Sequence, residues 1–201
     1  VDACKERLEK IPAILKRFRQ SILAAACSGR LTADWRENNP DVGYAEELLK
    51  MTKRKKKLLY EQLHAIAVTE GRKKPILFKE SSEPINIDDL IEIPKTWIWE
   101  RLVNIAHIQG GVTKGRKFKN RKTVMLPYLR VANVQDGFLD LSEIKEIETL
   151  PEDIEKYKLE DGDILFTEGG DRYKLGRGTV WRNHIKGCIH QNHIFRARPY
   201  H

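Results

Sequence analysis

Little in this sequence suits a membrane or an oxidising compartment. No apolar stretch approaches the roughly 20 residues needed to cross a bilayer, so no membrane association is expected. The start, Val1-Asp2-Ala3-Cys4-Lys5, has neither the charged and apolar regions of a signal peptide nor an initiator Met. Val1 is expected to be a boundary inside a longer protein, and Arg198-Pro199-Tyr200-His201 stops as though more chain followed. The three cysteines, Cys4, Cys27 and Cys188, are far apart and form no C-x-x-C. That excludes a disulfide framework or a zinc ribbon as the reading of choice. Reduced, packed thiols of a cytoplasm are expected instead. Aromatic residues make up only 8% and hydrophobic residues 40%, against 33% charged, a balance that suits a long solvated helical part.

Catalytic signatures are also missing. The glycine-bounded stretches at residues 110–122 and 169–178 lack the Gly-Lys-Ser/Thr ending of a P-loop and sit in no strand–glycine–helix unit. His190 and His193 share a predicted strand and would point to opposite faces. Asp163 and Glu168 suggest a nuclease pair, but no lysine follows at the spacing such a site needs, and 161–163 suits a turn. No nucleophile–His–acid set stands out. No catalytic residue and no metal ligand is assigned.

What is present begins with helices. Leu8, Ile11, Leu15, Phe18, Ile22 and Ala25 alternate in steps of three and four, the seam of a helix packed lengthwise on another helix. Pro12 should bend or restart it, and Gly29 should stop it. Residues 32–43 have the composition of a connecting loop. A second helix is predicted from Tyr44 to about Val68, with Leu48, Leu59, Leu63 and Ile66 as apolar contacts and the basic block Lys53-Arg54-Lys55-Lys56-Lys57 in its middle. That block is either a solvated face or a phosphate contact. The prolines and serines of 71–93 mark a linker. Beyond Pro94 the texture is strand and turn: a short helix near 101–106, a hairpin at Asp136-Gly137 joining strands 128–134 and 138–141, and further strands at 163–167, 179–181 and 188–198.

Charge is segregated within a formal net charge of +8. Residues 107–135 hold seven basic side chains (Lys114, Arg116, Lys117, Lys119, Arg121, Lys122, Arg130) and no acidic one. Residues 136–170 hold twelve acidic and three basic residues, and 171–198 hold seven basic residues against Asp171. Such segments either form opposed faces or mix in space. Opposed faces suit a duplex, which attracts Lys and Arg. Asn133 and Gln135 add amides able to recognise adenine, as Arg recognises guanine. The second glycine-bounded stretch contributes Arg172, Tyr173, Lys174 and Arg177. These thirteen residues are the candidate DNA-binding set.

Several motifs resemble one family. Leu8-Glu9-Lys10-Ile11-Pro12 through Phe18-Arg19-Gln20-Ser21-Ile22-Leu23-Ala24-Ala25-Ala26 to Ser28-Gly29-Arg30-Leu31-Thr32 is similar to the central helical region of type I restriction–modification specificity subunits. Ile93-Pro94-Lys95-Thr96-Trp97-Ile98-Trp99 resembles the opening of their target-recognition domain. Tyr128-Leu129-Arg130-Val131-Ala132-Asn133-Val134-Gln135-Asp136-Gly137, residues 169–178 and Cys188-Ile189-His190-Gln191-Asn192-His193 resemble internal motifs of that domain. The resemblance implies a DNA-recognition subunit that reads one half of a bipartite site in double-stranded DNA. Its helices would separate two readers and dock methyltransferase subunits through the Leu8–Ala25 seam, with a restriction (translocase) subunit joining them. S-adenosylmethionine, ATP and Mg would be bound by those partners and no cofactor by this chain. A helix of roughly 25 residues spans about 37 Å, close to one B-DNA turn of about 34–36 Å.

The expected architecture is therefore α+β: a long coiled-coil type helical spacer at 1–68, a linker at 69–93, and a mixed, mainly-β recognition domain at 94–201. The expected protein is a non-catalytic specificity subunit of the prokaryotic cytoplasm. Two other readings are a single-chain DNA-modifying or DNA-cleaving enzyme, which would bind a metal or S-adenosylmethionine, and a basic coiled-coil adaptor for proteins, which would show no salt-dependent DNA retention.

Overall fold

The structure, a computed structural model, describes residues 2–71, 81–169 and 175–200, with side chains from Lys5 onward. It is a mixed α+β chain that divides into two compact units: Val1–Arg54 with Ser82–Glu100, and Lys55–Ser81 with Arg101–His201.

The first unit begins with helix α1, Asp2–Cys27, which runs through Pro12 without a break. The helix stops where expected: Gly29 adopts φ 74°, in the left-handed region open to glycine. Among the described residues most of the seam is exposed, Leu8 by 63% and Phe18 by 60%. Residues 32–43 are not a plain loop. A 3-10 turn, Arg30–Thr32, leads into helix α2, Ala33–Asn38. Arg36 is the reason the chain stays compact here. Its Nη2 donates to the Gly29 carbonyl at 2.6 Å and its Nη1 to Thr32 Oγ1 at 2.7 Å. Its guanidinium also lies over the Trp97 ring at 5.7 Å. Pro94 packs so tightly on Gly29 that a Cβ there would meet the proline ring at 2.5 Å.

Helix α3, Ala45–Thr69, matches the second predicted helix. Its buried residues are Lys56 and Ala67, whereas Leu48, Leu59, Leu63 and Ile66 are exposed, so the apolar face assigned from sequence is not the covered one. The ammonium of Lys56 approaches the Tyr200 ring at 5.7 Å. A lysine stem packs as hydrocarbon, which removes Lys56 from the solvated basic block.

In the second unit, helix α4 is Leu102–Ile105, and the strands are β1 Ala106–Gly110, β2 Val124–Leu129, β3 Lys145–Thr149, β4 Ile164–Thr167, β5 Gly178–Val180, β6 Ile189–His190 and β7 Ile194–Pro199, with helix α5, Pro151–Tyr157, between β3 and β4. They make a four-stranded antiparallel sheet, β1-β7-β4-β5, and a three-stranded sheet, β3-β2-β6, in which β2 and β6 run parallel. The main core joins Leu129, Val134, Leu159, Leu165, Trp181, Cys188 and Ile194. A smaller one joins Val112, Tyr128, Ile147 and Ile189. Burial pushes the Cys188 thiol up to about 12, so it packs as an inert small hydrophobe. Cys27, in contrast, is exposed, so packing does not hold for every cysteine.

The structure departs from the sequence expectations in this unit. The Asp136-Gly137 hairpin shrinks to a turn closed by the single bridge Val134↔Leu139, because residues 131–133 coil into a 3-10 turn instead of extending. Strands β1 and β3 and helix α5 were not anticipated. Lys145–Thr149 has the burial alternation of an edge strand, yet its charges disguise it.

Candidate nucleic-acid interface

Strand register brings the two glycine-bounded stretches to the same end of the four-stranded sheet. Gly110, the last residue of β1, pairs with Phe195, and Thr167, the last of β4, pairs with Ile194. Gly178, the first of β5, pairs with Phe166. The first stretch therefore leaves where the second begins and returns, with the turn between β6 and β7 in between.

Backbone hydrogen bonds stitch these segments into a row. Gly137 N donates to Gly178 O at 3.0 Å, Thr167 N to Arg177 O at 3.0 Å, and Glu168 N to His193 O at 3.2 Å. Val112 N donates to His190 O at 2.7 Å, and Asn192 N to Val112 O at 3.0 Å. Gly111 makes that last seam possible, since a Cβ there would lie 1.9 Å from the His190 carbonyl oxygen. The row carries Gln135, Arg177, Glu168, Asn192 and His193. Arg177 Nη1 donates to Gln135 Oε1 at 3.0 Å, and Gln135 Nε2 donates to Ala132 O at 2.7 Å. The guanidinium is thus anchored on one side and keeps further N–H groups for a ligand.

The other candidates divide by what already holds them. Arg116 Nη1 donates to Asp153 Oδ2 at 2.6 Å, and Arg121 pairs with Glu152, both acceptors lying in the first turn of α5. Burial opposes the charge of Asp153, but hydrogen bonds from Arg116 and Thr149, the Arg116 charge and the Leu150 N–H outweigh it, and the carboxyl is held below its ordinary range. The α5 turn therefore pins the first basic loop in place. Arg130 Nη2 donates to Glu143 Oε2 at 2.7 Å. Lys114, Lys117, Lys119 and Lys122 are exposed, and Lys119 and Asn120 take positive φ at the tip of the loop. Asn133 does not belong with them. It is buried, its Oδ1 accepts from Arg130 N at 2.8 Å, and its Nδ2 donates to Asp140 O and Glu143 O. That amide shapes the turn and is removed from the reading set. Arg172, Tyr173 and Lys174 lie outside the described residues.

Two cations of the basic segment 171–198 turn inward. Arg196 is buried, with Nη1 donating to Lys158 O at 2.9 Å. Arg198 grips buried Asp163 through Nε at 2.7 Å and Nη2 at 2.8 Å. Asp163 also accepts from Glu160 N at 2.7 Å, so it ties strand to turn. Among the described residues no group of three or more His, Cys, Asp or Glu is placed to hold a metal ion, and no helix is long and apolar enough to cross a membrane. Sequence reasoning missed Glu168, Asn192 and His193 as members of the row. Their nearness depends on the β4–β7 pairing, which no local pattern announces.

The second unit thus gathers polar turn and loop residues at one end of its four-stranded sheet. No family model matches the chain. It is 30% identical over 200 residues to the type I restriction enzyme EcoKI specificity subunit of Escherichia coli K12, covering 98% of this chain and 32% of that protein. It is 48% identical over 122 residues to the EcoDI specificity subunit of Escherichia coli, covering 60% of this chain and 20% of that one. Against the EcoBI specificity subunit of Escherichia coli it is 28% identical over 182 residues, 88% of this chain and 29% of that protein. The chain is thus similar to type I restriction specificity subunits along almost its whole length, as its motifs imply, and spans under a third of the length of these relatives.

Proposed function

We propose that this chain is part of a type I restriction–modification specificity subunit, in which a helical spacer (1–68) is joined by a linker (69–93) to a target-recognition domain (94–201). Its task is sequence-specific binding of one half of a split duplex site in the prokaryotic cytoplasm. The chain itself is non-catalytic. Its helices dock methyltransferase and restriction subunits, and those partners bind S-adenosylmethionine, ATP and Mg. The observation that carries this reading is the polar row on the sheet end, flanked by the lysine-rich loop, within a chain similar throughout to specificity subunits. The 26 residues of α1 rise about 39 Å, which suits a spacer for two readers one duplex turn apart.

Contacts to phosphate set affinity and contacts to base edges set preference, and this divides the residues for testing. Alanine at Lys114, Lys117, Lys119 or Lys122 is expected to weaken binding to all duplexes alike. Alanine at Arg177 or Gln135 is expected to relax preference at one base position, by about 1–3 kcal/mol of discrimination. Competition binding against a half-site library measures both. If neither group of variants changes binding to any duplex, the reading fails.

A further inference from the structure

Within the polar row one charge runs against the rest. Glu168 follows β4 and is exposed, and its Oε1 accepts a hydrogen bond from His193 Nδ1 at 2.7 Å. The other ring nitrogen, Nε2, lies 3.4 Å from Asn192 Nδ2. An amide nitrogen donates and does not accept, so Nε2 is the acceptor and the ring proton sits on Nδ1, aimed at Glu168. The backbone repeats the tie, with Glu168 N donating to His193 O at 3.2 Å. Among the described residues the carboxylate has no other partner, so Oε2 is held in position and left open.

A carboxylate is repelled by phosphates, so on a duplex-facing surface this one gains nothing from the backbone. In the major groove guanine presents acceptors, thymine an acceptor and a methyl, and adenine an amino group beside the N7 acceptor. Cytosine alone presents an amino donor with no acceptor on its own base. Resting on the duplex-reading function above, we propose that Glu168 is a specificity-determining residue that accepts a hydrogen bond from the N4 amino group of a cytosine. His193 and Asn192 act as its positioning residues. Arg177, just before the adjoining strand β5, carries the complementary chemistry, that of a guanine reader.

The test is selection of the full-length natural chain on a duplex library with randomised half-sites. The wild-type chain is expected to require cytosine at one position. Glu168→Gln should move that preference toward adenine, which glutamine engages bidentately, and Glu168→Ala should erase it, a loss of roughly 5- to 150-fold in discrimination. His193→Ala should weaken preference at the same position alone, a pattern that general destabilisation would not produce. If both Glu168 variants keep the wild-type preference at every position, with affinity unchanged or uniformly raised, Glu168 reads no base and the proposal is overturned while duplex reading stands. A change confined to a position that is not cytosine overturns the cytosine assignment. If the wild-type chain selects no sequence at all, duplex reading fails and this proposal fails with it.

Discussion

At the scale of single residues, the strand-rich unit spends much of its polar inventory on itself. Asn133, Arg196 and Asp163 are all buried, and each satisfies backbone groups or a partner charge instead of facing solvent. His190 shows the consequence for stability. Its Nδ1 lies 2.9 Å from the Ile194 carbonyl oxygen, which only accepts, so Nδ1 carries the proton. Burial lowers its pKa to about 4, and burial lowers His107 to about 4 as well. The unfolded chain takes up a proton on each ring near pH 6.5, whereas the folded chain does not until near pH 4. The unfolded state therefore binds more protons between those values, and stability is full above about pH 6.5 and falls as the pH is lowered toward 4. For His190 alone the expected loss from pH 7 to pH 5 is about 2 kcal/mol. Urea denaturation at the two pH values measures it, and His190→Asn should flatten that part of the dependence. These roles were hidden in the sequence because a buried arginine and a surface arginine are the same letter. Only strand pairing separates Arg196 from Arg177.

At the scale of elements, glycine and charge decide where segments dock. The bridge Val112↔Gln191 exists because Gly111 lets the two backbones touch. Gly111→Ala should force them apart at a cost of about 1–3 kcal/mol and loosen the first basic loop, which hydrogen exchange at Val112 and Asn192 would register. The seam of α1 poses the opposite case, an apolar face that nothing covers among the described residues. Leu15→Asp with Phe18→Asp should leave the folding of this chain nearly untouched, yet abolish capture of a methyltransferase subunit or a second copy in pull-downs. Capture that survives both changes would show that the seam is not an assembly surface. The long helices and their glycine stop were legible because a period of three to four persists over many residues. Strand β3 was not, because Lys145, Glu146 and Glu148 mask its alternation. Helix α5 was not, because seven residues carry too little periodicity. The site was half legible. Arg177 and Gln135 stood out by residue type, whereas Glu168 and His193 meet only through pairing 25 residues apart.

At the scale of the whole molecule, a basic chain, a sheet end carrying a polar row and similarity to specificity subunits together support the proposed selective binding of duplex DNA. Net charge alone would give attraction without choice. The row of Gln135, Arg177, Glu168 and His193 is what would add choice, since it presents donors and an acceptor in fixed positions. Charge and choice separate under salt, because phosphate contacts weaken steeply as ions are added while discrimination between sequences rests on base contacts. The most direct test is an anisotropy titration of the full-length chain over a salt series, with the duplex it selects from a random library and with a scrambled duplex of equal length. Both affinities are expected to fall with added salt, with the selected duplex staying tighter by about 1,000-fold or more near physiological salt. Equal affinity for the two duplexes across the series would contradict the proposed selective binding.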